Sequence, residues 1–286
     1  MVKQCLLQQK LESATQQLRS AGIEPAERRV RELIAAVMGW SLSELLLKRS
    51  RLLSLEEEAL FDRAIARRLE GEPWQYIAGE LFFYNSYLKV DRRALIPRNE
   101  TELLVSIVCG FLQNQAPLHG RKLLDLGCGS GCMAIALKKA FPELTVVGCD
   151  LSPEALCLAR ENGEKNGVEI HWIASDLTEK LDGERFDWCV SNPPYIATQQ
   201  LPLLEREVRC HEPAMALDGG EAGLAFYKRL ALFLPQLLLP GGCCWLEMGY
   251  DQGEAVRSLF APPLWAAATL LKDYAEIDRF LFAERS

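Results

Sequence analysis

From Lys122 onward the chain alternates short apolar runs with stretches of helical spacing. The runs are "KLLDL", "LTVVGCD", "EIHWIAS", "FDWCVS" and "CCWLEMG". Strands that alternate with helices leave few arrangements open, and the expected one is a doubly wound, mostly parallel sheet. The tail "AAATLLKDYAEIDRFLFAER" reads as two strands joined by a turn, which places an antiparallel pair at the sheet's end. No internal repeat or low-complexity tract interrupts the pattern. The predicted class is therefore α/β, and in such sheets ligands bind at the carboxyl edge of the strands.

The chain before this sheet has a different pattern. Residues 1 to about 71 read as helices. Ser41-x-x-Glu44 and Ser54-x-x-Glu57 are capping-box spacings, each followed by helix formers. Phe61, Ala64, Ile65 and Leu69 recur at helical spacing, and Gly71 stands where a C-terminal cap belongs. An earlier helix starts near Pro25 and runs through "AERRVRELIAAVMG". The economical reading is a small helical bundle, either a partner-binding unit or a packing appendage. Residues 81–96 turn to aromatic and β-branched residues around Asn85-Ser86, as in a hairpin or extended connector. "IPRNETELLV" then opens a helix with Glu and Thr in its first turn. The expected organisation is a helical domain over 1–78, a hairpin connector over 79–96 and an α/β domain over 97–286.

Two segments of the sheet region carry chemistry. The first is "LLDLGCGSG", which follows a strand and opens a helix. Gly127, Gly129 and Gly131 are spaced G-x-G-x-G, and Cys132 stands where the dinucleotide fingerprint needs its third glycine, so that match fails. The logic of the turn persists: glycine lets backbone approach a ligand closely, and helix N–H groups point at it. Asp150 ends the second strand, where an acid can accept bonds from both ribose hydroxyls. Asp176 follows the third. Ser152-Pro153-Glu154 caps the next helix. Asp125, at the loop's entry, suits a cation better than a pyrophosphate. A nucleotide-binding or purely structural turn is the competing reading. Loop and acids together resemble the class I S-adenosylmethionine-dependent methyltransferases, with their Rossmann-like sheet.

The second segment is "SNPPY", which closes the fourth strand. Two prolines stop a strand because each fixes φ and lacks an N–H. Pro262-Pro263 shows that the dipeptide alone is uninformative. In the class just named, N/D-P-P-Y/F marks enzymes that methylate planar nitrogens, either amides or the exocyclic amines of bases. The residue types suit this. The Asn192 side-chain oxygen and the Pro193 carbonyl can each accept one N–H bond from a substrate NH₂. The two prolines would preorganise the carbonyl, and Tyr195 would pack on the planar group. No charged general base is needed.

The choice between amide and base falls to the rest of the chain. "GEPWQYIAGE", "IPRNETELLV", "DLGCGSG", "SNPPYI" and "EPAMALDGGEAGLAFYKRL" occur in that order. Together they resemble the bacterial-type peptide chain release factor N5-glutamine methyltransferases, over essentially the whole chain. The resemblance implies that S-adenosyl-L-methionine is the methyl donor and S-adenosyl-L-homocysteine the product. The target it implies is the glutamine of the Gly-Gly-Gln loop of release factors, with the helical domain contacting the release factor body. Carried over, it places cofactor contacts at Gly127, Cys128, Gly129, Ser130, Gly131, Asp150, Asp176, Leu177 and Asn192. It places substrate contacts at Asn192, Pro193, Pro194 and Tyr195, with Asn192 and Pro193 catalytic. Two positions depart from the pattern: Leu177 stands where the family often has an aromatic, and Asn99 where Pro is common. Arg98 is then either part of a helix start or a ligand contact. Glu212-Pro213 and Gly219-Gly220 are expected to shape a loop over the pocket.

Charge weighs against the rival, a nucleic-acid amino-methyltransferase that flips its base. Such an enzyme would carry a basic stripe near the NPPY edge. Residues 1–71 have 12 Lys and Arg against 10 Asp and Glu, whereas the remainder has 20 against 29. A cofactor-binding module without catalysis is a third reading, disfavoured by the intact Asn192 and glycine loop. No apolar segment follows a basic start, and "LALFLPQLLLP" is too short to span a bilayer. The protein is expected to be cytoplasmic, with no membrane or metal partner and a monomer as the default. Ten scattered cysteines form no disulfide or zinc pattern and are expected to be reduced.

Overall fold

The computed structural model describes residues 5–115 and 117–286. It divides into two units, the described residues up to Leu81 with Glu205–His211, and Phe82–Leu204 with Glu212–Ser286.

The first unit contains α1 (Leu7–Ser20), α2 (Ala26–Met38), α3 (Leu42–Leu47), α4 (Leu55–Leu69) and α5 (Trp74–Ala78). Both expected capping boxes form. Ser41 and Ser54 accept from the backbone N–H groups of Glu44 and Glu57, whose carboxylates accept from the serine N–H groups in return. The apolar stripes face one another: Leu7, Leu11 and Leu18 of α1, Val30, Leu33 and Ile34 of α2, and Phe61, Ala64 and Ile65 of α4 share one buried cluster. Each such large side chain contributes roughly 1.5–3 kcal/mol by leaving water. Removing the second cap should show in this unit. Ser54→Ala is expected to destabilise it by about 1 kcal/mol, read as a lower denaturant midpoint with an unchanged slope.

The second unit begins with a two-stranded sheet, β1 (Glu80–Phe83) and β2 (Ser86–Lys89), of which β1 starts in the first unit. Its turn is Tyr84–Asn85 rather than Asn85–Ser86. Tyr84 takes the left-handed conformation (φ 54°), and Ser86 is buried as the first residue of β2. Next come α6 (Asn99–Leu112), β3 (Lys122–Leu126), α7 (Cys132–Ala140), β4 (Thr145–Asp150), α8 (Pro153–Lys165), β5 (His171–Ala174) and β6 (Phe186–Ser191). The short helix α9 (Arg206–His211) belongs to the first unit, where Glu207 pairs with the buried Arg68. The chain ends with α10 (Ala225–Leu237), β7 (Leu238–Glu247), α11 (Gly253–Arg257), β8 (Trp265–Lys272) and β9 (Asp278–Arg285).

The main sheet has the order β5-β4-β3-β6-β7-β9-β8. Neighbours from β5 to β7 are parallel, and β9 runs antiparallel to both β7 and β8. The expected mostly parallel sheet with a terminal antiparallel pair is therefore present. The chain moves outward from β3 through β4 to β5, then returns to β6 on the other side of β3. This reversal sets the loops after β3 and β6 side by side, the position where open sheets of this kind bind ligands. Two apolar clusters cover the faces, one built on α6 and α7, the other on α10.

Trp172 of β5 explains two glycines that a sequence reading assigns to ligand approach or to nothing. A Cβ on Gly131 would lie 2.8 Å from Trp172 Cη2, and one on Gly148 would lie 2.3 Å from Cζ3. The third glycine of the loop is thus required by an indole ring within the protein. All ten cysteines are free. Burial pushes the Cys149 and Cys243 thiols up to about 12, which keeps them unreactive.

Candidate active site

The carboxyl edge of β3, β4 and β6 opens into one cavity. Gly127, Cys128, Gly129, Ser130, Asp150, Asp176, Leu177, Asn192, Pro193 and Pro194 line it. Gly131 and Tyr195 are not in that lining. Gly131 faces Trp172, as described above, and Tyr195 packs beside the α10 cluster.

The glycine loop is held from both sides. Gly129 N donates to Asp150 Oδ2 (2.8 Å), and the buried Asn162 of α8 donates to Ser130 O (3.0 Å). Asn162 also exchanges bonds with the backbone of Lys89, so one amide ties loop, helix and hairpin together. A Cβ at Gly127 would meet nothing, and one at Gly129 would meet only Ala94 at 3.9 Å. Both positions leave room for a ligand to lie against bare backbone.

Four charged side chains line the cavity, and three of them have opposite partners. Arg93 is bound by Asp91 and Glu161, Arg98 by Glu212, and Asp176 by Arg229. Asp150 instead accepts backbone N–H bonds from Gly129 and Ser152. Burial raises its pKa, and those N–H bonds oppose the rise. Asp150 is therefore the acid with lone pairs left for a bound group. Asp125 is not in the lining: it is fully buried, its Oδ2 accepts from Ala134 N (2.9 Å) in the first turn of α7, and burial lifts it to about 7. Of the two acids, Asp150 rather than Asp125 lines the cavity. Arg98 stands at the helix start and also lines the cavity. It is the residue before α6, and its guanidinium donates to the buried Glu212 at 2.6 Å on the cavity wall.

Asn192 follows β6, whose last residue, Ser191, donates its hydroxyl to Leu126 O (2.6 Å) and so locks β6 against β3. Asn192 Nδ2 donates to Thr101 Oγ1 (3.2 Å), and Thr101 Oγ1 donates to Glu247 Oε2 (2.7 Å). Its NH₂ group is engaged there while the residue itself lines the cavity. Behind the prolines, Ile196 N donates to Leu217 O (3.0 Å) and Gly219 N to Ile196 O (2.7 Å). Gln252 Nε2 donates to Tyr195 O (3.0 Å). The segment around Gly219-Gly220 is thus clamped against Pro194–Ile196, while Pro213 lines the cavity.

This arrangement coincides with what the chain is similar to. Residues 100–220 match the methyltransferase small domain, and residues 9–79 match the PrmC N-terminal domain. The release factor glutamine methyltransferase of Moorella thermoacetica is 39% identical over 98% of both chains. That of Chlamydia trachomatis serovar L2 is 37% identical over 96% of this chain and 92% of its own, and that of Geobacter sulfurreducens 38% over 92% and 90%. The chain belongs to the release factor glutamine methyltransferase family. Among solved structures, a 16S rRNA methyltransferase of T. thermophilus in complex with AdoMet and guanosine shares the fold. Its TM-score is 0.51 at 23% identity, over 72% of this chain and 50% of that one.

Sequence reasoning missed several residues of this methyltransferase. Thr101, Glu247, Gln252 and Asn162 all touch the site's backbone or Asn192, and each lies far from its partner along the chain. Glu247 is hidden because "CCWLEMG" reads as an apolar strand. A single buried acid within such a run was the available signal, since an acid is almost never fully buried without a partner.

Proposed function

We propose that the protein methylates the side-chain amide nitrogen of the glutamine in the Gly-Gly-Gln loop of peptide chain release factors, using S-adenosyl-L-methionine. The observation that carries this reading is the Asn192 amide, with its NH₂ bound to Thr101 on the wall of the cavity. An amide nitrogen is a poor nucleophile because its lone pair is delocalised into the carbonyl. Asn192 Oδ1 and the Pro193 carbonyl each accept one N–H of the incoming NH₂, which holds the nitrogen and favours loss of conjugation. S-adenosylmethionine, when bound, would supply the electrophilic methyl group and leave as S-adenosylhomocysteine; this chain's residues hold the amide nitrogen in line for it, and the displaced amide proton would leave to solvent.

The residues present fit that donor. Bare backbone at Gly127 and Gly129 admits a close ligand, Asp150 offers acceptors to ribose hydroxyls, and Leu177 gives an apolar wall where the family often has an aromatic. In this reading residues 1–78 contact the release factor body, 79–96 connect and 97–286 carry the reaction. The work takes place in the cytoplasm, with the enzyme acting as a monomer. Among the described residues no helix is long and apolar enough to cross a membrane.

The decisive experiment offers the purified protein a methyl-labelled donor and a release factor. Label is expected in the release factor, and not in one whose loop glutamine is changed. Label found instead in DNA or RNA overturns the glutamine assignment.

A further inference from the structure

We propose that Thr101 and Glu247 are positioning residues that determine which end of the Asn192 amide faces the substrate, making methyl transfer depend on the ionisation of Glu247. The inference rests on the function proposed above. An asparagine amide turned by half a rotation has almost the same shape but offers donors instead of an acceptor. A substrate NH₂ also offers donors only, so an inverted Asn192 repels the group it should hold.

The hydroxyl of Thr101 has one proton. An ionised carboxylate can only accept, so it takes that proton across the 2.7 Å contact between Thr101 Oγ1 and Glu247 Oε2. Thr101 then presents lone pairs to Asn192, and the matching group is the amide NH₂, seen at 3.2 Å; the ionised carboxylate also favours that NH₂ directly. A protonated Glu247 reverses the chain: it can donate to Thr101, freeing the hydroxyl proton for Asn192 Oδ1. The amide then turns its NH₂ to the cavity.

Glu247 lies at the end of β7 and is 1% exposed. Burial raises its pKa to about 7, and Glu100 adds to the rise, while Thr101, Asn192 and Arg279 of β9 oppose it. Among the described residues, the Tyr195 and Tyr227 hydroxyls and the Cys132 thiol also lie within range of its charge. Tyr227 donates to the backbone carbonyl of Glu247 (2.7 Å) rather than to its carboxylate. Above its pKa the carboxylate is ionised and Asn192 presents its acceptor. Below it the acceptor is lost, so activity falls as pH falls.

Two measurements on the full chain test the relay. In transfer to a release factor, kcat of the wild type should rise about tenfold per pH unit on an acid limb ending near pH 7. Thr101→Val should lower kcat about 10- to 100-fold, the scale of a misplaced group, with donor affinity nearly unchanged, and Thr101→Ser should restore most of it. Glu247→Gln should abolish the acid limb. A limb that survives in Glu247→Gln overturns the proposal, as does Thr101→Val with wild-type kcat. The second measurement needs no acceptor: the ¹⁵N resonance of the Asn192 side chain should titrate near pH 7 in the wild type and not in Glu247→Gln. A resonance that does not move overturns the relay even in an active enzyme. A titrating resonance in a protein that labels no release factor leaves the relay standing and removes the proposed function.

Discussion

Asn192→Ala is expected to lower kcat for glutamine methylation by about 10²–10³, the loss typical when one preorganised electrostatic contact to the reacting group is removed. Affinity for the methyl donor should weaken only modestly, because the glycine loop and Asp150 are untouched. The side chain is partly exposed and its amide bonds to Thr101 at the edge of the core, so little stability depends on it. Single-turnover transfer combined with donor binding separates the two effects. Near-normal turnover in the variant would show that the amide oxygen is not what holds the substrate nitrogen.

The second large effect is expected at Gly223. Its φ is +68°, and a Cβ there would lie 2.1 Å from Tyr195 O and 2.5 Å from Gln252 Nε2. Gly223→Ala combines left-handed strain of about 1–2 kcal/mol with overpacking of about 1–3 kcal/mol. The melting temperature should fall by about 6–12 °C, taking about 3 kcal/mol in a chain of this size. The clash is against the carbonyl two residues beyond Pro193, so the turn must shift, and displacements near 1 Å can lower a rate by about a hundredfold. Gly167→Ala is the control. Its φ is +65° with nothing within 4 Å of the added Cβ, so it takes the strain without the clash. It should lose about 1 kcal/mol and keep its turnover. If both variants behave alike, the clamp on Tyr195 has no functional part.

How much of this was legible depended on distance along the chain. The capping boxes at Ser41 and Ser54, the Ser152-Pro153 helix start and the glycine loop are local chemistry, and each forms as its spacing implies. The parallel sheet followed from alternating periodicity. Turn placement was less secure: Tyr84 enters the left-handed region although its type disfavours it, so the hairpin turned one residue early. Side-chain aim was not legible at all. Asp125 and Gly131 belong to motifs that suggest ligands, yet one caps α7 and the other makes room for Trp172. Thr101 and Asn192 are 91 residues apart, and only the pairing of β6, β7 and α6 brings them together.

The helical unit is not a cassette. It is closed by residues 205–211, which arrive from between the NPPY turn and Glu212. A fragment cut after Leu81 keeps the buried Arg68 but discards Glu207, the carboxylate that answers its charge. Grafting that bundle onto another methyltransferase would therefore also require transplanting a stretch of catalytic-domain loop. Part of the unit expected to select the protein substrate is written in the stretch that follows the turn expected to receive the glutamine, so changes in that stretch bear on both.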